Sequence, residues 1–266
     1  MANLTPSAKS GDTWTPYELR AFKIKVVRED NQAFFGAADL PAPNGVSPII
    51  WNNVTAPPGP IPKIFRDFFA FLEDMMWRRQ GEESLVIEFA AILFEMLGYD
   101  AGQRILQRRR EVLFDMCGIE VDAKVDVTVV DEWHSPSFFR YILLFKEDKS
   151  YDSGDEYPES QLIATALAAF HKINKMRLKA GMPALESQTF PGITMVGSAP
   201  TFYKITITSE LALAVAGGVY PENETIVRKF VPPVPEPLNY AAQGMVPLEN
   251  RRIVLQCFEA FRQFVV

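Results

Sequence analysis

Apolar residues recur at helical spacing over residues 64–79, where Ile64, Phe68, Leu72 and Met75 or Met76 make one stripe. They recur again over about 82–98 through Leu85, Phe89, Ile92, Leu93 and Met96. Gly81 separates the two helices, and Gly98 stands where a glycine commonly ends one. The period then shortens. Residues 111–117 read as a strand, and over 119–130 Ile119, Val121, Ala123, Val125 and Val127 alternate with Glu120, Asp122, Lys124, Asp126 and Thr128. After a turn or loop from Asp131 to Pro136, residues 138–146 form an apolar strand suited to burial on both faces. It leaves through Glu147-Asp148-Lys149 into a polar loop, and Pro158 then opens a helix to about 179, with Leu162, Ile163, Ala166, Leu167, Phe170 and Ile173 as its buried stripe. Gly181 and Pro183 stop that helix. Strands near 192–197 and 201–208, a stiff extended connection at 231–237 and an amphipathic helix over about 249–264 complete the chain.

Residues 1–63 read as an irregular extension packed on the core, with short strands at 20–27 and near 46–51. The proline-rich stretch Pro57 to Pro62 marks its boundary with a domain spanning 64–266. No internal repeat is present. The order helix, three strands, helix, two strands predicts an α/β sandwich.

Composition narrows the function classes. The 266 residues carry 27 Lys and Arg against 33 Asp and Glu, a net charge of −6, which disfavours a nucleic-acid coat while leaving room for one local basic groove. No apolar run approaches the roughly 20 residues of a membrane helix, and the first residues lack the apolar centre of a secretory signal, so an intracellular protein without a membrane partner is expected, cytoplasm or nucleus unresolved. Cys117 and Cys257 are too few for a disulfide framework, and His134 and His171 are the only histidines. Two basic groups, Arg104 with Arg108 to Arg110 and Lys172 with Lys175, Arg177 and Lys179, read as solvated helix ends.

One constellation could carry chemistry. Asp126 sits in an alternating strand, and Glu147 and Lys149 share a face at the exit of the next. Glu88 lies on the preceding helix beside its buried stripe. If the strands are neighbours, three carboxylates and an ammonium meet in one cleft. Mg²⁺ and Mn²⁺ bind through such carboxylates, backbone carbonyls and waters, and an ion so held activates water and neutralises a phosphoryl oxygen. The competing reading is a solvent-facing strand residue and a charged strand exit.

Asp126 followed by Glu147-Asp148-Lys149, in this order of elements, resembles the PD-(D/E)XK nuclease-like superfamily. The segments DVTVVD, YILLFKEDKS, PESQLIATALAAFHKIN, PGITMVGSAPTFYKITIT and MVPLENRRIVLQCFEAFRQFV are similar to a poorly characterised fungal family assigned to it, over about residues 82–266. The resemblance implies a restriction-endonuclease-like αβββαβ core with a mixed sheet flanked by helices, and phosphodiester cleavage dependent on Mg²⁺ or Mn²⁺. By position it implies Asp126 and Glu147 as metal carboxylates, Lys149 as the catalytic lysine, Glu88 as the acidic residue of the first core helix and Gln161 as a polar neighbour of the site. The Asp148 carbonyl could also face the metal. The signature proline is absent, since Val125 precedes Asp126, and Asp122 and Asp131 are rival acidic positions. Two functions follow: a metal-dependent nuclease acting on DNA or RNA, or a catalytically silent nuclease fold serving as a binding or regulatory module, with a protein partner or self-association open.

Other features read as structure. Gly192 to Gly197 lacks the Gly-Lys-Ser/Thr ending of a phosphate loop and is expected as a buried strand. Tyr203 and Lys204 read as strand packing, His171 as a surface residue and His134 as a loop residue. Ser198 lacks a nucleophile elbow, Cys117 reads as core, and the aromatics from Phe65 to Trp77 read as core or a lid over it.

Overall fold

The computed structural model describes residues 6–76, 84–135, 138–148 and 157–266. Its centre is the strand β4, Phe138–Glu147, in which Tyr141 to Phe145 are all buried. A strand covered on both faces needs neighbours on both edges and helices above and below. The neighbours are β3 (Ile119–Ser135), antiparallel to it, and β5 (Ser187–Val196), parallel to it. Beyond them lie β2 (Arg104–Met116) on one side, and β6 (Ala199–Thr208), β7 (Thr225–Phe230) and β1 (Ile24–Arg28) on the other. The result is a seven-stranded mixed sheet of order β1-β7-β6-β5-β4-β3-β2.

Helices cover both faces. In chain order they are α1 (Pro16–Ala21), α2 (Asn31–Phe35), α3 (Pro48–Asn52), α4 (Lys63–Met76), α5 (Ser84–Met96), α6 (Pro158–Lys179), α7 (Ser209–Gly217), α8 (Tyr240–Gln243) and α9 (Leu248–Phe261). One core lies between the sheet and α4, α5 and α9, through Phe68, Phe89, Phe94, Leu255 and Phe258. The other lies under α6, α1 and α7, through Leu162, Leu167, Phe22 and Leu211. Each apolar face is removed from water by a helix stripe, which is the main favourable term for a sheet of this size. Among the described residues no helix is long and apolar enough to cross a membrane.

Two irregularities set the side-chain directions around β4. Val129 pairs with Leu143 but Val130 pairs with Tyr141, so Ile142 is an extra residue, and both Ile142 and Leu143 face the α5 side. In the β2–β3 ladder, pairing runs from Arg108↔Val127 to Arg110↔Val125 and skips Arg109 and Asp126. Arg109 has φ 53° there. On one side of this step Leu106 and Val127 face α5; on the other Val112 and Val125 face α6.

The structure corrects several expectations. The short strand expected at 20–27 is present as Ile24–Arg28 and joins the sheet, whereas residues near 46–51 form α3 rather than a strand. Arg104 to Arg110 lie on β2, not at a helix end, because the strand starts seven residues earlier than its apolar alternation. Residues 131–135 continue β3 instead of turning. Cys117 is not core: with Gly118 it makes the two-residue turn of the β2–β3 hairpin, both at positive φ (52° and 78°), and it is half-buried. The helix α7 and the strand β7 were not anticipated. Residues 192–197 do lie in β5 and the turn after it, Tyr203 packs in β6, and His171 is partly exposed on α6.

The C-terminal helix carries a feature its amphipathic pattern conceals. Arg251 is fully buried with no carboxylate paired to it among the described residues. Its Nε donates to Met245 O at 3.1 Å, Nη1 to Ile50 O and Asn53 O at 3.3 and 2.5 Å, and Nη2 to Val54 O and Val246 O at 2.9 and 3.3 Å. All five guanidinium N–H groups are thus accounted for. The rings of Phe68 and Phe69 lie 5.6 and 5.4 Å from its carbon centre. Burial pushes the guanidinium pKa down to about 10, so it remains charged at neutral pH. Carbonyl dipoles and ring faces compensate the charge, and in doing so they fasten the α3 segment to α9. Arg251→Met is expected to lower stability by about 3 kcal/mol or more in urea unfolding, and Arg251→Lys by less, since it keeps the charge with fewer donors.

Candidate functional site

The strand exit of β4 carries Lys146, Glu147 and Asp148. Alternation sends Lys146 with Leu144 to the α6 side and Glu147 with Phe145 to the other. Lys146 and Glu147 are both buried, at 8% and 2% exposure, so each charge needs compensation.

Asp126 supplies part of what Lys146 needs. It lies one step beyond the Val127↔Phe145 pair, at the irregularity opposite Arg109. Its Oδ2 accepts the Glu147 backbone N–H at 2.8 Å, and its Oδ1 is 3.7 Å from Lys146 Nζ. The rest comes from Asp12, in the N-terminal segment. Asp12 Oδ1 lies 3.1 Å from Lys146 Nζ and accepts the Lys124 N–H at 3.2 Å. The Lys124 carbonyl accepts from Lys146 Nζ at 3.2 Å, and the exposed Lys124 ammonium is 3.8 Å from Asp12 Oδ2. Two carboxylates and a carbonyl therefore surround one ammonium.

The N-terminal segment is held there by packing. Ser10 Oγ donates to Asp122 O at 3.2 Å. A Cβ on Gly11 would stand 2.7 Å from the Ala123 Cβ and 3.0 Å from the Ala164 Cβ, so only glycine lets the segment pass between β3 and α6. Trp14 is fully buried against Phe22 and Phe114.

The remaining anticipated residues fall as follows. Glu88 is on α5, where its Oε2 lies 3.5 Å from Arg108 Nε, and its side chain is 44% exposed. Asp148 is half-buried and donates its N–H to Met195 O at 2.9 Å. Gln161 is buried in the first turns of α6. Of the rival carboxylates, Asp131 pairs with Arg140 at 3.0 Å, while Asp122 takes Ser10 on its carbonyl. Lys149 and the His134 side chain lie outside the described residues.

A second polar cluster neighbours the exit of β4. Glu159, in the first turn of α6, takes Lys229 Nζ at 2.7 Å and the Tyr203 hydroxyl at 3.2 Å. Thr194 Oγ1 is 3.4 Å from that hydroxyl. Burial, then the charges of Glu159 and Asp148, push the Tyr203 phenol well above its ordinary pKa, so it stays a donor.

These contacts bear on a divalent ion. Among the described residues, no three His, Cys, Asp or Glu side chains gather closely enough to hold a metal. Asp126 has one oxygen on an amide and the other beside an ammonium, and Glu88 is turned to Arg108. Both Asp126 oxygens and the Glu88 carboxylate are thus engaged by other groups, and the cation that Asp126 meets is Lys146. Asp12 and Lys146 are the site residues that sequence reading missed. Asp12 gives no signal in an irregular stretch. Lys146 does give one: a lysine on the buried face of an apolar strand requires a partner. Comparisons with protein-family models and with curated proteins find no match to the chain.

Lys146→Met removes the cation between two partly buried carboxylates and is expected to cost about 3 kcal/mol in urea unfolding. Adding Asp12→Asn should cost less than the sum of the two single changes, by about 1 kcal/mol, because the pair shares one interaction.

Proposed function

We propose that this chain is a nuclease-like α/β fold used as a binding or regulatory module rather than as a phosphodiesterase. The observation that carries the reading is the engagement of Asp126, whose carboxylate is divided between the Glu147 N–H and Lys146, itself anchored by Asp12. An ammonium buried among carboxylates does the charge-balancing that a bound ion would otherwise do. Kinship with the nuclease-like core is supported by the element order α5, β2, β3, β4, α6, β5, with β4 and β5 parallel across the α6 connection. Fold and chemistry separate readily, so that kinship does not carry activity with it.

A second reading, a nuclease dependent on Mg²⁺ or Mn²⁺, is favoured by one contact. Asp126 touches the backbone of Glu147 at the end of β4, and Lys149 follows two residues later. That reading requires Asp126 to leave Lys146, with Asp126, Glu147 and the Asp148 carbonyl then holding the ion.

Calorimetric titration with MnCl₂, and incubation of labelled DNA and RNA with Mg²⁺ or Mn²⁺, separate the two. The expected result is no saturable binding at millimolar ion and no cleavage above that of Asp126→Asn. Saturable binding lost in Asp126→Asn, together with cleavage lost in Lys149→Ala, would establish the nuclease instead.

A further inference from the structure

The open edge of the sheet carries charge that the site at β4 does not use. Among the described residues β2 is hydrogen-bonded on one side only, to β3, and Arg104, Arg108, Arg109 and Arg110 lie along it. Arg108 is neutralised from α5, at 3.5 Å from Glu88 and 3.3 Å from Glu95. Arg104, Arg109 and Arg110 have no carboxylate within ion-pair distance among the described residues, and the last two are exposed. Because the pleat reverses at Arg109, Arg108 faces the α5 side while Arg110 lies near Tyr141 on the α6 side. The arginines fan around the edge instead of stacking on one face. α6 brings the second basic group to the same flank. His171 lies 3.8 Å from Asp115 and Lys175 3.6 Å from Glu120, which ties the helix to the β2–β3 hairpin and leaves Lys172 and Lys179 exposed beside it.

We propose that the β2 edge binds the phosphate backbone of a single-stranded nucleic acid; this names the partner of the binding module above and rests on that reading. Four observations favour it. The chain has net charge −6, so this row is not a by-product of a basic composition. Every cation on the strand is arginine, whose planar fork grips phosphate with two hydrogen bonds. The row spans residues 104–110, about 20 Å of strand, the reach of a few nucleotides of a linear, evenly charged polymer. Ile105 and Leu113, exposed on the same strand, offer apolar surface to unpaired bases that a duplex would keep stacked. An added peptide strand is disfavoured, because the left-handed Arg109 interrupts the extended backbone such pairing needs.

The test is fluorescence anisotropy of a labelled single-stranded oligonucleotide with wild type and with the double variant Arg109→Gly/Arg110→Gln; glycine suits the positive φ at 109, and thermal melting confirms folding. Arg104→Gln provides an independent single variant. The expected result is salt-dependent binding that the double variant weakens about tenfold, with the slope of log affinity against log salt reduced by about 1.4. No binding by wild type, or binding untouched by all three substitutions, overturns the proposal. Equal competition by polyaspartate assigns the edge to acidic polypeptides, and equal affinity for duplex removes the single-strand preference; both overturn it. Metal-dependent cleavage in the preceding experiment would overturn the module reading on separate grounds, without bearing on the dependence on Arg109 and Arg110.

Discussion

Five successive buried residues in β4, Tyr141 to Phe145, impose the constraint from which the rest of the molecule follows. A backbone with both faces covered can satisfy its N–H and C=O groups only by pairing on both edges, so β3 and β5 are obligatory neighbours. Their own apolar faces then demand the two helical layers. The same burial makes the exit of the strand costly. Lys146 and Glu147 follow Phe145 without a break and enter the core's margin as charges, and water cannot serve them there. For Lys146 the answer is Asp126 and Asp12, one from the adjacent strand and one from a segment more than a hundred residues away.

This arrangement explains why the N-terminal segment belongs to the fold rather than lying on it. Gly11 passes where any side chain would collide with Ala123 and Ala164, and Trp14 fills the space beside Phe114. β1 then extends the sheet by pairing with β7. A comparable device closes the opposite layer, where the Arg251 guanidinium binds carbonyls of residues 50–54 and 245–246. In both places a cation buried with oxygen partners fixes the position of chain that has little regular structure of its own. Charge compensation here acts as a fastening, supplying specificity where apolar packing alone would leave several positions nearly equivalent.

The two sheet edges contrast with this interior. β1 is short. β2 is long, and its middle is broken by Arg109 in a left-handed conformation between two further arginines. Charge and a backbone irregularity on an edge prevent it from templating another strand. The same features leave Arg104, Arg109 and Arg110 without a carboxylate partner among the described residues.

The main helices and strands were legible because their periods are local. Phe68 to Leu72, Val121 to Val125 and Leu162 to Ile173 write their burial at intervals of 3.6 or 2, although Ile119 is exposed and Val127 turns to the other face. Legible too was the double burial of the strand expected over 138–146, present from Tyr141 to Lys146, and with it the neighbours it needs. The pairing of Asp126 with the exit of β4 followed from that adjacency. What the tertiary structure alone decided was which charge meets which. A register shift of one residue at Ile142 and a reversed pleat at Arg109 determine which face each charged side chain takes. Neither leaves a mark in the hydrophobic pattern, since both depend on how three strands coil together. Asp12 and Arg251 were out of reach for the same reason. Lys146 lies more than a hundred residues from Asp12, and the carbonyls of residues 50–54 as far from Arg251; the energy that selects those partners is desolvation, which exists only once the chain is folded.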